Sequence, residues 1–225
     1  DLIYGRLNFT SALAGILACL LIIFLVLPFH EWAHGFAAYK LGDKTAKYSG
    51  RLSFNPLTHI DPMGALCLLL FNFGWAKPVP VDPRYFKNPK AGMAIVALAG
   101  PMANLVAAVA GGLLLNAAVF FGGIQILTGG FFFYVYLFLQ YYFTINVFLA
   151  VFNLIPIPPL DGSKILFMFL PDKWLYNIYR YQQFFFIAIY VLLFTGVLSV
   201  PMSAASGAIQ NGILWLTRPP FLPFV

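Results

Sequence analysis

The sequence predicts an all-α polytopic membrane protein, a bundle of about 4–6 transmembrane helices with a small re-entrant or membrane-surface β element. Composition is the first reason: 61% of the 225 residues are hydrophobic and 9% are charged, against about 25% charged in an ordinary soluble domain, and the mean hydropathy is +0.86. Charge-free length is the second. No acidic or basic residue occurs from Ala91 to Leu160 or from Tyr181 to Thr217, and each stretch exceeds the roughly 20 apolar residues that cross a hydrocarbon core.

Taken in order, the apolar segments lie at about 9–41, 92–120, 131–156 and 182–200, with a short piece at 63–75 and a weak one at 203–217. The first is too long for a secretory signal: the run from Leu7 to Tyr39 far exceeds the roughly 7–15 apolar residues of such a segment. The piece at 63–75 is too short to cross and predicts a re-entrant or surface-lying element. No internal repeat and no appended soluble domain are legible, so residues 1–225 are expected to form a single intramembrane domain.

Basic residues set the orientation. Lys40, Lys44, Lys47 and Arg51 follow the first span, while Lys77, Arg84, Lys87 and Lys90 precede the next long one. Both ends are therefore expected on the cytoplasmic side. The connection from Phe120 to Gly130 is uncharged, and Lys164, Lys173 and Arg180 follow the span after it, so the spans alternate in direction. The formal charge of +6 is explained by these flanks, beside lipid headgroups, and nucleic-acid binding is not expected. Cys19 and Cys67 match no metal-binding spacing and read as small core residues.

The stretch from Tyr48 to Pro89 is rich in Pro and Gly and contains short runs such as Arg51-Leu52-Ser53-Phe54. Backbone at membrane depth needs internal partners, which predicts a small sheet or hairpin there. Its edge, along 48–55, would suit an extended substrate strand.

Chemistry concentrates at His30-Glu31-Trp32-Ala33-His34. Residues four apart share a helix face, so the two imidazoles can meet one metal. This is the HExxH arrangement, in which the histidines bind Zn²⁺ and the glutamate is the general base. The motif alone is weak, but Glu31 is the only glutamate and His30 and His34 are two of three histidines. Ionisable groups within a span cost at least about 2.5 kcal/mol each on insertion scales and are functional by default. A polar patch hydrogen-bonded to neighbouring helices is the structural alternative. Counting ten residues to Lys40 puts the motif roughly 15 Å inside the cytoplasmic helix end. Pro28, just upstream, should kink the helix.

A hydrolytic zinc site takes three protein ligands and leaves a fourth position to water. Candidates for the third are His59, Asp43, Asp61, Asp82, Asp161 and Asp172. Asp161 suits best, because it ends the Pro-rich run Asn153 to Gly162 at the same depth and side as the histidines. The alternative is an aspartate capping the next helix. His59, in the turn-like run Asn55 to Pro62, reads more simply as a loop histidine.

His30 to His34, the NxxPxxxxDG pattern from Asn153 to Gly162, and Gly100-Pro101-Met102-Ala103-Asn104 as a GPxxN element occur in this order on three successive long spans. With these the chain resembles the site-2 protease family of intramembrane zinc metalloproteases, peptidase family M50, over nearly its whole length. The resemblance implies that His30, His34 and Asp161 bind one Zn²⁺ per chain and that Glu31 is the base. It implies a transmembrane-helix substrate cut within or near the bilayer, and an Asn153 that holds substrate or stabilises the oxyanion. An asparagine in a span is as often helix glue, and Asn104 reads as packing support. Many members carry an additional N-terminal span and a PDZ domain, so a compact, core-only member is expected, multi-pass in a prokaryotic cell membrane with its site towards the cytoplasm. Two other classes stand beside the protease: a metal or proton transporter, which would show repeated halves with discontinuous helices, and a non-catalytic scaffold, which would be expected to have lost the base or a ligand.

Overall fold

A computed structural model describes residues 16–18, 20–71, 74–126 and 131–218. In chain order the helices are α1 (Leu27–Lys40), α2 (Thr45–Tyr48), α3 (Pro62–Phe71), α4 (Pro89–Gly122), α5 (Phe131–Asn153), α6 (Asp161–Phe167), α7 (Asp172–Arg180), α8 (Gln182–Phe194) and α9 (Ser199–Thr217). The all-α architecture expected from composition is present. Among the described residues, three helical runs are long and apolar enough to cross a membrane: Ile16–Lys40, Pro89–Ile126 and Phe131–Asn153.

The first run is not uniform. A π-helical turn, Ile22–Val26, leads into α1, and the Leu27 N–H donates to the Ile22 carbonyl five residues back. Pro28 has no N–H for the carbonyl of Phe24, so the widened turn sits where the ordinary ladder is interrupted. The carbonyl that Pro28 is expected to free lies in this widened turn, immediately before the HExxH residues. Residues 9–15 of the first expected span lie outside the described residues, as does Cys19.

Helix α4 organises the rest, contacting α1, α5, α6 and α9. Its start is built from Asn88, whose Oδ1 accepts the Ala91 N–H at 3.1 Å, and from Pro89, whose missing N–H costs nothing in the first turn. At 34 residues it is about 51 Å long, so it projects beyond a hydrocarbon core of about 30 Å or tilts within it. Gly92, Ala97, Gly100, Ala103, Ala107, Ala108, Gly111 and Gly112 are among its buried residues. Small side chains let helix backbones approach, which is how transmembrane helices pack without a hydrophobic driving force. Around them Ala108, Leu115, Phe143, Val147 and Ile213 join α4, α5 and α9 in one core.

The C-terminal third departs from the sequence expectation. The apolar segment at 182–200 is broken: α8 has 13 residues, about 20 Å and too short to cross. The chain turns at Gly196 with φ 72°, a left-handed conformation that glycine adopts without strain. The weak segment at 203–217 is instead most of the 19-residue α9, fixed to the bundle by Asn116 Nδ2 donating to Thr217 Oγ1 at 2.9 Å.

The β element is reduced to one antiparallel bridge, Ile60 with Ala76, and no strand forms among the described residues. Pro78, Pro80 and Pro83 remove ladder donors from one side of the would-be hairpin. On the other side 48–55 is the end of α2 followed by bends, so no strand edge exists there for an extended substrate. The loop is held by side chains: buried Arg51 donates through Nη1 to the carbonyls of Thr58 and Lys77. Within the 63–75 piece the described residues include most of α3, a helix too short to cross.

Candidate metal centre

His30 and His34 lie on one face of α1, and α4 passes directly over them. A Cβ placed on Gly100 would lie 2.5 Å from His30 Cε1 and 2.5 Å from His34 Nε2, closer than packed atoms allow. Gly100 of the GPxxN element is therefore the space the imidazoles occupy. One turn earlier on α4, the Val96 carbonyl accepts from His34 Nδ1 at 2.7 Å. A carbonyl can only accept, so Nδ1 carries the proton and Nε2 is the atom turned towards the shared point.

The third group arrives from the far side. Asn153 ends α5, the Pro-rich residues 154–160 turn the chain, and Asp161 opens α6. Gly162 permits this fold-back: a Cβ there would lie 2.6 Å from the Ile155 carbonyl oxygen. The N-cap of α6 is Leu160, with no side-chain cap hydrogen bond, so Asp161 does not act as the helix cap that was its alternative. Its Oδ2 instead lies 3.2 Å from His30 Nε2 and 3.1 Å from His34 Nε2, and the two Nε2 atoms are 3.0 Å apart.

These edges test the fit of a cation. Zn²⁺ bound at about 2.0–2.2 Å with tetrahedral angles separates its ligand atoms by about 3.3–3.6 Å, and the observed triangle is smaller by a few tenths of an ångström. Two imidazole nitrogens and a carboxylate, all buried, form a donor set that zinc takes.

Glu31 follows His30 on α1, and its Oε2 accepts the Val79 N–H at 3.1 Å. The extended residues around Val79 thus orient the carboxylate. Trp32, on another face of α1, stacks on Phe36 and on Phe54 from the loop, with ring centroids 4.9 and 4.5 Å apart.

The rival ligands are used elsewhere. His59 Nε2 donates to the Ser53 carbonyl at 2.8 Å. Asp43 accepts from Thr45 N and Asp82 N, Asp61 from Gly64 N, Asp82 from Arg84, and Asp172 from Lys90. Asn153 is not drawn into the triangle: its Nδ2 donates to the Leu149 carbonyl of its own helix at 3.0 Å. Asn104 is fully buried on α4, and neither polar atom of its side-chain amide has a hydrogen-bond partner among the described residues. Three contributors were not anticipated. The Val96 carbonyl and the Val79 N–H are backbone groups that no motif announces, whereas Lys164, 3.4 Å from Asp161 Oδ1, was visible as the residue three positions after Asp161.

The description Peptidase family M50 matches residues 122–198. YwhC of Bacillus subtilis, which is named as a zinc metalloprotease, is 37% identical over 207 residues, or 91% of this chain and 94% of its own length. Rip2 of Mycolicibacterium smegmatis, also named as a zinc metalloprotease, is 32% identical over 184 residues, covering 76% of this chain and 64% of its own. No solved structure matches. With relatedness along nearly the full length of YwhC, and with the HExxH pair and Asp161 converging in space, the chain belongs to peptidase family M50.

Proposed function

We propose that this protein is a zinc-dependent intramembrane endopeptidase that hydrolyses peptide bonds in or near the transmembrane helix of membrane-protein substrates. The observation that carries the reading is the convergence of His30 Nε2, His34 Nε2 and Asp161 Oδ2 within 3.2 Å of one another, beside the only glutamate of the chain and within a membrane-length helical run. The zinc-metalloprotease names of YwhC and Rip2 agree with it.

In this reading His30, His34 and Asp161 hold one Zn²⁺, which when bound supplies a Lewis acid that acidifies water and polarises the scissile carbonyl. Glu31 accepts the proton of the attacking water and returns it to the leaving amine. The Val79 N–H fixes Oε2 during this exchange, leaving the carboxylate no need to search for its position. Asn153 can stabilise the oxyanion once its amide gives up the Leu149 carbonyl. A helical substrate must unwind locally to expose a peptide bond. Lys40, Lys44, Lys47 and Arg51, following α1, support a site nearer the cytoplasmic face of a prokaryotic cell membrane, and residues 1–225 act as a single domain.

The test is reconstitution in proteoliposomes with a panel of single-span membrane proteins. Wild type is expected to cut at least one of them, and Glu31→Gln and chelator-treated protein to cut none. Cleavage that survives either treatment overturns the mechanism.

A further inference from the structure

The two oxygens of Asp161 have different neighbours. Oδ2 faces both imidazoles, at 3.2 and 3.1 Å, whereas Oδ1 lies 3.4 Å from Lys164 Nζ. Asp161 is the first residue of α6 and Lys164 the fourth, so the helix sets the ammonium on the same face as the carboxylate. The aspartate side chain is 9% exposed and that of Lys164 39%. Lys164 borders a cavity of about 470 Å³ together with Lys90, Asp172 and Tyr179, and so reaches the buried carboxylate from the open side. The neighbouring cation is engaged elsewhere: Lys90 Nζ lies 2.7 Å from Asp172 Oδ1 and donates to the Leu170 carbonyl at 2.8 Å.

Such a pair between exposed groups would be worth little. Here one partner is a buried group whose other oxygen belongs to the metal triangle. We propose that Lys164 is a positioning residue for the metal: by holding Oδ1 it restricts Asp161 to ligation through Oδ2 alone, which keeps the remaining coordination position for water. This rests on the zinc reading above. A carboxylate released on one side can turn about its Cβ–Cγ bond and present both oxygens, and zinc accepts a fifth ligand when one is offered. Outer groups that orient ligands commonly set the behaviour of a metal site.

The proposal is tested in the purified full chain with Co²⁺ in place of Zn²⁺, because the visible d–d absorption of four-coordinate Co²⁺ is several-fold stronger than that of five-coordinate Co²⁺. Wild type and Lys164→Arg are expected to show the strong four-coordinate band, and Lys164→Met a several-fold weaker one at equal cobalt content. If Lys164→Met does not fold, Lys164→Ala takes its place with the same expectation. A spectrum of Lys164→Met or Lys164→Ala that superimposes on wild type overturns the role of Lys164 and leaves the metal site standing. A wild-type spectrum that is unchanged by His34→Ala overturns the metal site itself, and the proposal with it.

Discussion

His59 is 1% exposed and His30 and His34 are 4% and 8% exposed, so all three imidazoles must find polar partners inside the protein. In the loop, His59 turns Nε2 to a carbonyl oxygen, that of Ser53, and its own carbonyl accepts the Lys77 N–H at 2.9 Å. The result is a local knot, helped by Arg51, that ties three loop strands of chain together. Between α1 and α6 the geometry is reversed: two Nε2 atoms and a carboxylate oxygen face one another. The His59 nitrogen aimed at a carbonyl is satisfied by its own proton, whereas nitrogens and a carboxylate aimed at one point would be satisfied together by a cation there. Burial does not separate a structural histidine from a ligand. What the ring nitrogens face does.

The comparison can be broken most severely at the base. Glu31→Gln keeps the shape of the side chain but not its ability to take a proton, and should lower the cleavage rate by about 10²–10⁴-fold; substrate cleavage in proteoliposomes measures this, and zinc content should be unchanged. Gly100→Ala forces a methyl against both imidazoles. Overpacking of this kind costs about 1–3 kcal/mol, and a metal assay should show zinc occupancy falling along with thermal stability. His59→Ala should act on stability alone, costing about 1–3 kcal/mol by leaving the Ser53 carbonyl unpaired, with zinc occupancy retained. If that variant loses its zinc, the separation between the two environments fails. The smallest effect is expected at Arg84→Ala, which removes an exposed partner of Asp82 and should leave the melting temperature unmoved.

Much of this was legible in the residues. The HExxH spacing encodes a shared helix face, and a lone glutamate in an uncharged span has few roles other than chemistry. Asp161 could be placed because Pro156, Pro158 and Pro159 announce a bent chain end at the right depth. The small residues of α4 likewise mark close helix contact. Legibility stopped where backbone groups or packing decide. Nothing local points from Glu31 to Val79 N–H or from His34 to the Val96 carbonyl, because these contacts span 48 and 62 residues. The break near Gly196 was hidden by an apolar composition that reads through it, and α9 was undervalued because its Ser, Gly and Asn residues score as weakly apolar, although Ser206 and Thr217 are buried. The expected hairpin failed for a reason already in the sequence: alternating prolines leave one side without donors.

The most direct test is the zinc content of the purified, detergent-solubilised chain and of its Asp161→Ala variant, measured after removal of loosely bound metal. One zinc per chain in wild type, and none in folded Asp161→Ala, is the predicted result. Stoichiometric zinc that persists in Asp161→Ala, or a folded wild type that holds no zinc when zinc is supplied, would contradict the three-ligand centre joining α1 to α6.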